Sequence, residues 1–104
     1  MNKKPADPVS PDNKDIMEMD SFAQICKALG HPARVKILKY LKGEDRCICG
    51  KIVEILPLAQ STVSQHLKCL KEAGIIKGEV NGLCTRYCID LKVLEDFKNA
   101  VAGL

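Results

Sequence analysis

Apolar side chains recur at helical spacing through most of the chain. Phe22, Ile25, Cys26 and Leu29 predict a first helix over residues 16–29, with Gly30 as its stop. Pro32 suits the first turn of a second helix, where its missing N–H costs nothing. That helix carries Val35, Leu38 and Leu41 inward and ends at Gly43. After a polar turn at 44–46, Ile48, Ile52 and Ile55 stand at i, i+4 and i+7 and predict a third helix over 47–56, broken by Pro57. Val63, Leu67 and Leu70 form the stripe of a fourth helix over 60–73, stopped by Gly74. Residues 75–80 and 83–89 read as strands. Asn81-Gly82 between them is a hairpin signal, because both residues tolerate positive φ. Leu94, Phe97 and Val101 share one face of a last helix, residues 91–102.

The predicted order is α-α-α-α-β-β-α, mainly α with a β-hairpin. The short connection at 57–59 has the length of a helix-turn-helix turn, and the hairpin after the second of those helices makes a winged version. A chain of 104 residues holds one domain. Pro5, Pro8 and Pro11 among polar residues predict a disordered tail over 1–15, leaving 16–104 as the winged helix-turn-helix, DNA-binding and dimerisation domain. Aromatic residues are 4% and Trp is absent, so the core must be aliphatic. No apolar run approaches the ~18 residues of a membrane span. The first residues lack the apolar segment of a secretion signal, which points to the cytoplasm and to six cysteines kept as thiols.

Charge sharpens the picture locally. The net charge is only +3, but residues 27–51 hold Lys27, Arg34, Lys36, Lys39, Lys42, Arg46 and Lys51 against Glu44 and Asp45. A local basic excess suits an anionic partner, although solvated helix faces have the same look. The fourth helix separates the two. Its outward residues are Gln60, Ser61, Thr62, Ser64, Gln65, His66 and Lys68, none acidic. Gln can bond adenine in the major groove, Ser and Thr several base edges, and Lys a phosphate. A plain solvated helix more often mixes Glu with Lys. Lys77 and Arg86 flank the hairpin within reach of adjacent backbone. No Gly-rich phosphate loop or catalytic triad is present, so an enzyme is not expected.

Three stretches resemble the ArsR/SmtB family of bacterial metal- and metalloid-responsive repressors. Residues 28–38 (ALGHPARVKIL) are similar to the family's first helix junction, residues 60–76 (QSTVSQHLKCLKEAGII) to its recognition helix, and residues 82–89 (GLCTRYCI) to its wing. The resemblance implies a homodimer that represses its operon and leaves operator DNA on binding an inducer. It also implies that Cys47-Ile48-Cys49, similar to the family's Cys-Val-Cys signature, supplies metal ligands. As(III) or Sb(III) is the first expectation for the inducer and Cd(II) or Pb(II) the second. The chain departs from the pattern in four places. Ile52 stands where some arsenic sensors have a further Cys, the N-terminal extension has no Cys, and the last helix has no His for a zinc site. Ala59 also replaces the usual Ser or Thr before the recognition helix, forfeiting a cap worth ~1 kcal/mol.

The other cysteines read differently. Cys26 is expected to pack on the first helix and Cys69 to be half-buried. Cys84 and Cys88 share one strand face but lie ~13 Å apart, so either joins only a site built elsewhere, as a third ligand to Cys47 and Cys49. At a helix start the latter two gain thiolate character, which favours soft ions and oxidation alike. Ligand, redox pair and structural thiols all stay open, and so does a redox- or persulfide-sensing repressor. A protein-interaction winged helix without DNA binding is the alternative from a different class. Phe22, Ile25 and Leu29 on the first helix and Leu94, Phe97 and Val101 on the last form two stripes expected to meet a second copy.

Overall fold

The computed structural model describes residues 17–43, 47–49, 57–82 and 84–104. The tail expected at 1–15 and the body of the helix expected at 50–56 lie outside the described residues. The elements are α1 (Met19–Ala28), α2 (Pro32–Gly43), β1 (Cys47–Cys49), α3 (Gln60–Glu72), β2 (Ile76–Asn81), β3 (Cys84–Ile89) and α4 (Leu91–Ala102). The strands form one antiparallel sheet in the order β1-β3-β2.

Helix α1 starts with Asp20 in its first turn and ends with Lys27 in its last, both favourable to the helix dipole. It buries Ile25 and Ala28. Cys26 is exposed, not packed as expected. In α2 the buried stripe is Ala33, Ile37 and Leu41, while Val35 faces out and Leu38 is half-buried. The correction follows from helix geometry at about 100° per residue. Steps of three from Val35 to Leu41 drift by about 120°, whereas steps of four from Ala33 to Leu41 drift by about 80° and keep a narrower face. His31 caps the helix, its Nδ1 accepting the Ala33 N–H at 3.1 Å.

Cys47–Cys49 is an extended strand, not the start of a helix. It pairs with β3 in the register Cys47↔Cys88, Ile48↔Tyr87 and Cys49↔Arg86. A three-residue edge strand exists only because β3 supplies its ladder, so local periodicity favours the helix that tertiary pairing overrides. Helix α3 buries Val63, His66, Leu67 and Leu70. It ends in a tight reversal: the N–H groups of Ala73, Gly74 and Ile75 return to the carbonyls of Cys69, Lys71 and Leu70, and Gly74 takes φ +88°.

The hairpin turns one residue later than expected. Asn81 pairs with Cys84 as the last strand residue, and Gly82 alone of the described residues in the turn takes the positive φ, +67°. This register sets Arg86 against Glu79, where they form an ion pair at 3.7 Å. A turn centred on Asn81-Gly82 would instead set Arg86 against Lys77, two like charges. Asp90 then caps α4, accepting the Val93 N–H, while its own N–H donates to the Ile75 carbonyl.

The core is aliphatic, as the composition requires. Ile25, Ile37, Leu41, Val63, Leu70, Ile75 and Ile76 are its most enclosed members. Phe22 of α1 and Phe97 of α4 meet at its edge, rings 5.4 Å apart.

Candidate nucleic-acid interface

Helix α3 divides cleanly into two faces. Its stripe at 63, 67 and 70 anchors it to the core, which turns Gln60, Ser61, Thr62, Ser64, Gln65 and Lys68 to the surface. All six are exposed, and no acidic residue lies in the first turn. Ala59 provides no side-chain cap; the Thr62 and Val63 N–H groups return to its carbonyl, and the N–H groups ahead of them face the end of the helix, where an anion is favoured. A row of amide and hydroxyl groups with one ammonium, free of carboxylates, is chemically fit to read base edges and hold phosphate.

His66 stands apart from that set. It is 8% exposed and faces inward beside Val63, Leu67 and Leu70. Its Nδ1 accepts a hydrogen bond from Arg34 Nε at 3.2 Å, and its ring lies 4.5 Å from that of His31. Arg34 Nη1 also donates to the Ala28 and Lys27 carbonyls at 3.2 and 3.5 Å, capping the end of α1. One guanidinium thus ties α1, α2 and the recognition helix together. An acceptor at Nδ1 leaves the neutral ring's proton on Nε2. Burial, then the neighbouring His31 and Arg34, hold the His66 pKa below its ordinary value, so the ring is neutral at pH 7. Arg34 was not among the residues expected at the site. The signal for His66 was legible: positions 63, 66, 67 and 70 follow i, i+3, i+4, i+7.

The wing carries its expected cations on one face. Lys77 pairs with Asp90 at 3.7 Å and Arg86 with Glu79 at 3.7 Å, all but Asp90 well exposed. Exposed pairs of this kind contribute ~0–1 kcal/mol, so a phosphate can take either cation at little cost. The cysteines occupy the same face of the sheet. Paired residues share a face and alternate residues return to it, so positions 47, 49, 84, 86 and 88 lie opposite the core-facing Ile76 and Ile89. Cys88 is disulfide-bonded, and Cys26 and Cys69 are free thiols. Cys69 is half-buried as expected. Among the residues whose side chains are described, which do not include Cys47, Cys49 and Cys84, no group of three metal-ligating side chains forms a site.

The two expected apolar stripes split. Ile25 and Leu94 are core residues of the single chain, at 1% and 6% exposure. Leu29, Phe22 and Phe97 are half-buried, and Val101 is 45% exposed. Leu104, which extends the last-helix stripe, and Met19, not anticipated, are exposed apolar residues beside them. Together with Met17, Phe22 and Ala100 they line an open groove of about 250 Å³ between the ends of α1 and α4.

A recognition helix whose exposed run from Gln60 to Lys68 carries no carboxylate, anchored beside a three-stranded wing, defines a winged helix-turn-helix regulator of transcription. Residues 31–77 match the model of the arsR family of bacterial regulatory proteins. An HTH-type transcriptional regulator of Methanocaldococcus jannaschii is 42% identical over 76% of this chain and 90% of its own. The transcriptional repressor SdpR of Bacillus subtilis is 36% identical over 72% of this chain and 82% of its own. The HTH-type repressor SmtB of Mycobacterium tuberculosis is 39% identical over 62% of this chain, which spans 47% of that protein. The fold is that of a solved ArsR family transcriptional regulator, with TM-score 0.73 at 17% identity, covering 85% of this chain and 90% of the other. The chain belongs to the ArsR family of DNA-binding transcriptional regulators, which are not enzymes. No helix among the described residues is long and apolar enough to cross a membrane.

Proposed function

We propose that this regulator is a homodimeric repressor that leaves its operator when a thiol-binding inducer engages Cys47 and Cys49. The observation that carries the repressor reading is the exposed face of α3 from Gln60 to Lys68, with Lys77 and Arg86 beside it on the wing. SdpR and SmtB, named as repressors, support the direction of control. The apolar groove between α1 and α4 supports the dimer. Met19 at 87% and Leu104 at 92% exposure are costly to leave in water, and a second copy across a two-fold axis covers both grooves at once. Two recognition helices so related read half-sites one helical turn, or a multiple of it, apart.

As(III) or Sb(III) is the inducer this reading favours, and Cd(II) or Pb(II) the next. Soft thiolate donors select soft ions, and one neighbour in fold is a possible transcriptional regulator for arsenical resistance, with TM-score 0.65. The disulfide at Cys88 favours a second reading, in which oxidation or persulfidation of the same thiols releases DNA. Titrating the reduced complex with the promoter of its own gene separates them. Release by arsenite or antimonite under reducing conditions supports the first, and release by a persulfide donor alone supports the second. Release by none of these, nor by cadmium, lead or peroxide, refutes both.

A further inference from the structure

Cys88 lies in the wing, and its position in the β1–β3 ladder links it to the two cysteines of β1. Cys47 is its direct partner in the register, and Cys49 stands one alternate position further along, opposite Arg86. Directly opposed residues of an antiparallel pair have Cα atoms ~4.5–5.5 Å apart, and diagonal ones ~7–8 Å. Cys84 is placed differently. It pairs with Asn81 on the other side of β3, beyond the end of the β1 pairing, and is diagonal to Cys49 but four residues from the partner of Cys47.

We propose that Cys47, Cys49 and Cys88 form one thiol site on the outer face of the sheet: three thiolate ligands for a soft cation when reduced, and a Cys47–Cys88 disulfide when oxidised. The inference rests on the reading of Cys47 and Cys49 as inducer ligands and supplies the donor that Ile52 does not. Three observations carry it. The register makes Cys88 the wing position adjacent to both cysteines of β1, and excludes Cys84 from Cys47. The face is the one opposite the core-facing Ile76 and Ile89; Lys77, Glu79 and Arg86 on it are exposed and Cys88 is half-buried. The disulfide at Cys88 requires another sulfur within bonding reach. Cys26 and Cys69 are free, Cys84 is ~13 Å along the same strand, and Cys49 is diagonal. Cys47, the direct register partner of Cys88, is the position that fits the ~4.4–6.8 Å Cα separation of bonded cysteines.

The two states exclude one another. With a peroxide as oxidant, the Cys47 and Cys88 thiols together give up two electrons and two protons. A sulfur–sulfur bond forms, and the peroxide O–O bond breaks to leave two waters. A disulfide sulfur is no longer a thiolate donor, so oxidation removes two of the three ligands. The same ladder pair ties the wing to the segment leading into the helix-turn-helix, which places the inducer's bonds between the two DNA-facing elements.

The test maps thiols on the full chain. Reduced protein is incubated with arsenite, alkylated, and each cysteine is quantified by peptide mass spectrometry. Arsenite is expected to shield Cys47, Cys49 and Cys88 and to leave Cys26, Cys69 and Cys84 alkylated. Cys88→Ser should weaken arsenite binding at least tenfold, and Cys84→Ser should leave it unchanged. DNA affinity of each variant reports that it has folded, and the wild-type map needs no variant at all. Peroxide treatment should yield a cross-linked pair of peptides containing Cys47 and Cys88 and abolish shielding of Cys49. If Cys47 and Cys49 are shielded while Cys88 is alkylated, this inference fails and the reading of the inducer pair survives. If arsenite, cadmium and lead shield no thiol, both fail. A cross-link from Cys88 to any other cysteine overturns the oxidised arm.

Discussion

Replacing Arg34 with Ala removes a side chain that hydrogen-bonds from α2 to both α1 and the recognition helix. Three hydrogen bonds are lost: Nε to His66 Nδ1 at 3.2 Å, and Nη1 to the Ala28 and Lys27 carbonyls at 3.2 and 3.5 Å. The two carbonyls end a helix near the surface and regain water, so their loss costs little. His66 is buried, so leaving its Nδ1 without this donor costs ~1–3 kcal/mol. We expect Arg34→Ala to destabilise the fold by about 2 kcal/mol, and a domain of this size to lose roughly 10 °C in Tm. Arg34→Lys does not rescue, because one ammonium cannot reproduce a fork that spans two helices. The decisive assay is a double-mutant cycle in urea with His66→Ala. A coupling of about 1–2 kcal/mol is expected, since each partner strands the other. Additivity to within ~0.5 kcal/mol would refute the idea that this contact positions the recognition helix.

Four further outcomes follow from the same geometry. Because the His66 pKa is lowered, the unfolded chain binds its proton first as pH falls. Stability is therefore full above the ordinary His value of about 6.5 and declines as pH drops through the lowered one. Urea midpoints between neutral and mildly acid pH should show this slope, and His66→Gln should flatten it. Ala59→Ser should restore a side-chain cap to α3 and raise stability by about 1 kcal/mol in the same assay. Lys68→Ala should weaken binding to all DNA alike and reduce its salt dependence, whereas Gln65→Ala should narrow the gap between operator and random DNA; equal losses on both would contradict these roles. Met19→Glu should shift sedimentation equilibrium from about twice the chain mass toward the monomer, and an unchanged mass would contradict the proposed dimer face.

Structure followed periodicity where local stop and turn signals agreed with it. The recognition helix, the stop at Gly74 and the last helix were legible because each rests on local signals: a stripe, a glycine at positive φ, a run of carboxylate-free outer positions. His66 was legible too, but its place on the stripe lost out to its chemical appeal as a DNA contact. The strand at Cys47–Cys49 was not legible, because a three-residue edge is created by its partner across the ladder and leaves no period of its own. The same non-local pairing brings Cys88 beside Cys47, a proximity that no spacing along the chain expresses. Ile25 and Leu94 looked like interface residues for a related reason. An apolar stripe states that a face is covered, and only the packed chain states by what.

The measurement that tests the central claim most directly is fluorescence anisotropy of the promoter fragment of its own gene, titrated with reduced protein and then with arsenite. The account predicts two chains bound per site, tight binding relative to random DNA, and release by arsenite. It also predicts that the Cys47→Ser, Cys49→Ser double variant binds equally well and is not released. Binding no tighter than to random DNA, or release retained in the double serine variant, would contradict it.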